Sequence, residues 1–212
     1  MCRLLVVKDS TSFPIAAELE PFAAMARTSK EFQGDGWGCV WWDGSAWQRY
    51  RTVTPIWEDR YDRFGETTVL VAHARSAFRN EGIVVDNNMP FVDGDLAFAF
   101  NGELRGVRIA EVGRIGAEKL FGFLMKSGAG AGAAALARGL DVVTQRTRYV
   151  RAMNLVLARG PAVLVGTQFG EDPEYFTMHQ CRTGTRRTVA SAPLPNRRGW
   201  EPIPNGTVLA LE

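Results

Sequence analysis

The chain has 212 residues, 46% hydrophobic and 23% charged, enough for one large soluble domain with a substantial core. Its formal net charge of +2 does not suggest a nucleic-acid binder. The densest basic runs, Arg146-Thr147-Arg148 and Arg186-Arg187, are short and lack the interleaved aromatics of a single-strand groove. No apolar stretch approaches the roughly 20 residues of a membrane span.

In chain order, residues 2–8 are apolar and β-branched and predict a buried strand. Residues 14–30 predict a helix rich in Ala, Glu, Leu and Met, with Pro21 breaking it. Gly34-Asp35-Gly36-Trp37-Gly38 leads into Cys39-Val40-Trp41-Trp42, which turns at Asp43-Gly44-Ser45 and returns as the second strand of a hairpin. Residues 67–75 form another strand, followed by a polar loop around Arg79-Asn80-Glu81-Gly82 that closes at Asn87-Asn88-Met89-Pro90-Phe91. Leu96-Ala97-Phe98-Ala99-Phe100 is an apolar strand expected to stop at Asn101-Gly102.

Helices are expected over 118–126, where Leu120, Phe121, Leu124 and Met125 share a face, and over 132–146. Residues 153–158 and 162–166 flank Arg159-Gly160-Pro161 as a hairpin. Three more strands are expected over 175–181, 187–192 and 207–211. Strands at both ends and helices between them, with strands apolar on both faces, predict two stacked sheets with helices outside.

Three cysteines, an odd number without framework spacing, favour a reducing compartment, and the cytoplasm is the expected location. The N-terminal apolar run, residues 4–7, is too short for the core of a signal peptide. A metal site built from Cys39, His73, His179 and Cys181 would lack the clustered spacing of common zinc sites.

Met1-Cys2 carries the chemistry. Removal of Met1 would leave Cys2 with a thiol of pKa about 8.5 beside its own α-amine of pKa about 7.7–8.0. One residue would then supply both nucleophile and base. Retention of Met1 would turn that amine into an amide and remove the base. Taken alone, the dipeptide reads more simply as a small hydrophobe opening a strand.

Four stretches change that reading: Met1-Cys2, Gly34-Asp35-Gly36-Trp37-Gly38, His73-Ala74-Arg75-Ser76-Ala77 and Phe100-Asn101-Gly102. In this order and spacing the chain resembles the class II glutamine amidotransferases, the N-terminal-nucleophile hydrolases with an N-terminal Cys. It is most similar to their small stand-alone branch, which hydrolyses γ-glutamyl bonds in ergothioneine biosynthesis and glutathione breakdown. The tail from Arg187-Thr188-Val189 to Gly199-Trp200-Glu201-Pro202 is similar to that branch as well.

The resemblance spans nearly the whole chain. It implies a single domain over residues 1–212, an α+β four-layer αββα sandwich, and cleavage of a small-molecule amide, the side-chain amide of glutamine or of a γ-glutamyl-type compound, through a thioester. It implies Cys2 as nucleophile, with Asn101 and Gly102 as the oxyanion donors. Arg75 would take a substrate carboxylate, and Gly36, Trp37 and Met89 would complete the binding site. Neither a metal nor a cofactor is expected. A homo-oligomer, or a partner subunit that accepts ammonia, stays open.

Several positions depart from the family pattern. Gly116 stands where the family has an Asp that grips the substrate ammonium. Met89 and Phe100 stand where His is usual, and Ser191-Ala192-Pro193 replaces Ser-Glu-Pro. Each change removes a polar or charged group. The expected substrate is therefore an amide whose α-amine is absent, acylated or otherwise held. A non-catalytic relative that keeps the fold as a binding or partner module is the alternative.

Overall fold

The computed structural model describes residues 1–195 and 197–212, the side chain of Asn80 excepted. β1 (Arg3–Pro14) runs straight into α1 (Ile15–Arg27). β2 (Trp37–Trp42) and β3 (Trp47–Thr52) form the first hairpin, and β4 (Glu66–Ala74) follows. β5 (Phe91–Asp93) and β6 (Leu96–Val107) precede α2 (Gly116–Lys126) and α3 (Ala133–Gln145). β7 (Thr147–Arg159) and β8 (Ala162–Gly166) make a second hairpin. The chain ends with α4 (Pro173–Phe176), β9 (His179–Thr183), β10 (Arg186–Ala190), β11 (Trp200–Pro202) and β12 (Val208–Leu211).

Among the described residues the strands pair into two antiparallel sheets. The first has the order β11-β9-β10-β1-β4-β2-β3, the second β12-β8-β7-β6-β5. β1 shows how the layers stack. Leu4 and Val6 join the core shared with the second sheet, whereas Leu5 and Val7 pack with Leu19 and Phe22 of α1. Strand side chains alternate between faces, so β1 is buried on both. Leu120 of α2 and Leu140 of α3 cover the second sheet from outside, where Phe98 stacks on Phe121. The layers are α1, first sheet, second sheet, then α2 with α3: the αββα sandwich that the strand and helix pattern predicts.

Local expectations fail in three places. Pro21 does not break α1, although it removes the bond to the carbonyl four residues back and costs about 3 kcal/mol in a helix interior. Burial of Ile15, Leu19, Phe22, Met25 and Ala26 on one face offsets it. The strand expected over 175–181 begins only at His179, because Asp172-Pro173 places Pro at the first position of a helical turn over residues 173–176. β6 does not stop at Asn101-Gly102 but continues to Val107, its pairing with β7 shifting register between Glu103 and Leu104.

Candidate active site

Cys2 lies just before β1. The register pairs Arg3 with Ala74 and Leu4 with His73, so Cys2 emerges beside the segment that follows β4. It has the parity of Leu4 and Val6, whose side chains join the core shared with the second sheet, and the β1 alternation continued one residue would turn it the same way. The Ser76 amide points at its sulfur at 3.5 Å, and the thiol reaches the Ser76 carbonyl at 3.6 Å. Burial pushes the thiol pKa up; the Ser76 amide, the N-terminal ammonium and Arg75 pull it back.

The loop before β2 is interlocked with residues 75–77. Arg75 donates its amide to Gly36 O at 2.9 Å, and Asp35 donates to Arg75 O at 3.2 Å. The Asp35 carboxylate accepts from the Ala77 amide at 2.6 Å. Gly36 has φ +109°, and a side chain there would collide with Asn88 Nδ2 and Thr52 O. Only glycine fits both constraints.

Arg75 is buried. Its Nη1 donates to Asn88 Oδ1 at 3.0 Å and its Nη2 to Gly82 O at 2.8 Å. Asn88 is anchored in turn through Nδ2 to Thr52 O at 2.5 Å. The guanidinium plane is thereby fixed, a precondition for bidentate capture of a carboxylate. Beyond Asn88, Arg51 donates to the Asn88 carbonyl at 3.0 Å. With Arg49, Phe91, Arg114 and Glu118 it lines a surface groove of about 620 Å³.

Asn101 lies within β6, opposite Asn154 of β7. Phe98 faces α2, so by alternation Asn101 faces the first sheet, toward the side from which Cys2 projects. It is fully buried, yet neither its nitrogen nor its oxygen has a partner. An unmet buried polar group costs about 1–3 kcal/mol, and Asn101 carries two such atoms in this structure. Asn154, its neighbour, is satisfied by Phe176 O and the Gln168 amide. At Gly102 a Cβ would run into the Ala152 carbonyl, so close packing against β7 is one reason for that glycine.

His73 is also buried between the sheets. Its ring lies against the Phe100 backbone, but neither nitrogen makes a hydrogen bond of good geometry. Burial first, and the Arg75 charge second, lower its pKa to about 3, so it is neutral at physiological pH.

Two residues expected at the binding site sit elsewhere or act differently. Trp37 is fully buried in the core beneath α1, where Nε1 donates to Asp59 at 2.9 Å. Its indole therefore faces away from the space between the sheets, because Trp37 and Cys39 share one side of β2. Met89 is buried in the inter-sheet core and offers a hydrophobic wall rather than a polar contact. Gly116 opens α2, and nothing lies within 4 Å of where a side chain would start. The nearby Glu118 is tied up by Arg114 at 2.6 Å.

Sequence reasoning missed Asn88, Gln33 and Tyr175. Gln33 Nε2 and the Tyr175 hydroxyl both donate to the Met1 carbonyl at 2.7 Å. Nothing in the local sequence marks them, since their partners lie 32 and 174 positions away. Asn88 left one trace, a polar Asn-Asn pair directly before Met-Pro.

The fold is that of the N-terminal-nucleophile glutamine amidotransferases. A glutamine aminotransferase class-II domain protein from Silicibacter pomeroyi superposes with a TM-score of 0.68 over 99% of this chain and 94% of its own, at 17% identity. Glutamine phosphoribosylpyrophosphate amidotransferase from B. subtilis superposes with a TM-score of 0.64 at 16% identity, over 90% of this chain and 42% of that larger one. In sequence, the chain is 26% identical over 203 residues to the γ-glutamyl-hercynylcysteine sulfoxide hydrolase of Mycobacterium tuberculosis, covering 91% of this chain and 81% of that one. No family model matches. The resemblance to class II glutamine amidotransferases is thus met by both kinds of comparison, in proteins named as a γ-glutamyl hydrolase and as glutamine-dependent transferases.

Proposed function

We propose that this protein is an N-terminal-nucleophile amidohydrolase that cleaves a γ-glutamyl-type amide through a thioester on Cys2. The observation that supports the reading is the buried amide of Asn101, without a hydrogen-bond partner in this structure, on the face of β6 that alternation turns toward the first sheet.

Removal of Met1 frees the Cys2 amine. That amine takes the thiol proton, and the sulfur attacks the substrate carbonyl carbon. Asn101 Nδ2 and the Gly102 N–H receive the developing oxyanion, a contribution of about 3–4 kcal/mol per donor in comparable sites. The ammonium of Cys2 passes its proton to the departing nitrogen as the C–N bond breaks. Water, activated by the same amine, then opens the thioester and releases the acid. Arg75, held by Asn88 and Gly82, fixes a carboxylate at the far end of the acyl group.

The empty space at Gly116 and the engaged Glu118 leave a substrate ammonium without a carboxylate there. This favours an amide other than free glutamine. Binding without turnover is the competing reading, and the same feature motivates it. A screen of γ-glutamyl amides and of primary amides against processed protein tests both. Turnover abolished by Cys2→Ala supports the enzyme. Ligand binding that depends on Arg75, with no amide cleaved, supports the binding module.

A further inference from the structure

Met1 is seated in a formed site. Its carbonyl accepts from Gln33 Nε2 and the Tyr175 hydroxyl, and its ammonium meets the Glu31 carboxylate. Its side chain packs against the cluster of Ala152, Tyr175 and Phe176, on which Phe169 packs as well. Glu31 also faces Arg151 at 3.5 Å, and Arg151 is bound more closely by Asp172 at 2.7 Å. Gln33 is fully buried, and its Oε1 has no partner.

We propose that the space filled by Met1 becomes, once Met1 is removed, the subsite for the amine released by the reaction, and that it takes an amine bearing an apolar chain and a positive charge. The inference rests on the amidohydrolase reading above and adds the leaving-group side to it.

The proton path places it there. The thiol proton goes to the Cys2 amine, and from there to the departing nitrogen as the C–N bond breaks. That nitrogen must therefore come within hydrogen-bond reach of the Cys2 nitrogen. The bond that now joins Cys2 to Met1 marks the direction from this nitrogen that opens onto a ready-made cavity. A substituent on the departing nitrogen that follows this direction meets the phenylalanine-lined wall. Glu31, released from the Met1 ammonium, would hold a cation at its rim. Gln33 Oε1 supplies a buried acceptor for an N–H, and Gln33 Nε2 with the Tyr175 hydroxyl supplies donors for a carbonyl oxygen.

L-methionine amide carries the three groups of Met1: ammonium, thioether chain and carbonyl oxygen. Calorimetric titration of processed protein with it gives saturable binding, weakened about tenfold by Glu31→Gln and by Phe169→Ala. Protein with residues fused ahead of Met1 does not bind it. Alongside, the γ-glutamyl monoamide of 1,5-diaminopentane has a kcat/KM about tenfold above that of the amide of ammonia, and Phe169→Ala shrinks this ratio. No saturable binding, or binding equal in the fused protein and in both variants, overturns the subsite. Turnover without binding or preference overturns the subsite alone. Binding with no amide turned over overturns the amidohydrolase reading, and with it the leaving-group role.

Discussion

In the proposed mechanism Asn101 joins a cost in stability to a gain in chemistry, which makes the two separable. Asn101→Leu removes an unpartnered buried amide and keeps most of its volume. The variant is expected to be as stable as the parent or more so, by up to about 2 kcal/mol in denaturant unfolding. Its kcat is expected to fall about 10²–10³-fold in a single-amide assay. A loss of stability together with unchanged turnover would show that the amide serves the fold alone. His73 yields a second test. Its pKa is about 3 in the folded protein against 6.5 for the free side chain, so the unfolded chain binds the proton first as pH falls. The stability this depressed group contributes is complete above pH 6.5 and declines toward about pH 3. Each such group adds up to about 1.4 kcal/mol per pH unit to the slope. Denaturant midpoints measured across this window should fall less steeply in His73→Leu. Identical slopes would mean that His73 is not buried as a neutral ring.

The elements show what a local sequence pattern can and cannot carry. β1, the β2–β3 hairpin, β4, α2 and α3 were legible because alternation, turn residues and apolar faces are properties of neighbouring positions. α1 outlasted Pro21 because its partners lie across the layer, in Leu5, Val7 and Ala72. β6 passes through Asn101-Gly102 because β7 pairs with it there, and an Asn-Gly dipeptide read alone suggests a turn. Gly102→Ala tests that packing: the Ala152 carbonyl leaves no room, and a loss of about 1–3 kcal/mol is expected in thermal or chemical unfolding. The buried Glu18 of α1 binds Arg186 at 3.0 Å and Arg197 at 2.9 Å, tying the outer helix to β10 and the segment before β11. Glu18→Ala should cost about 2–3 kcal/mol, less than a fully buried pair because both arginines keep some exposure. A change below about 0.5 kcal/mol would make the tie a surface contact only.

For the whole molecule, two sheets buried on both faces were legible in the apolar strands, and four short stretches supplied the proposed nucleophile, the proposed oxyanion donors and Arg75. The supports of the site were not. Asn88, Gln33 and Tyr175 reach it only when segments far apart in sequence fold together, and Trp37 leaves it because β2 directs its ring toward α1. The central claim is that a sulfur at the start of the processed chain does the chemistry. Intact-mass and peptide mass spectrometry of protein treated with an electrophilic glutamine analogue tests it most directly. A chain lacking Met1, with one adduct on Cys2, is expected. A chain that retains Met1 and still cleaves amides, or an adduct on Cys39 or Cys181 with Cys2 untouched, would contradict it.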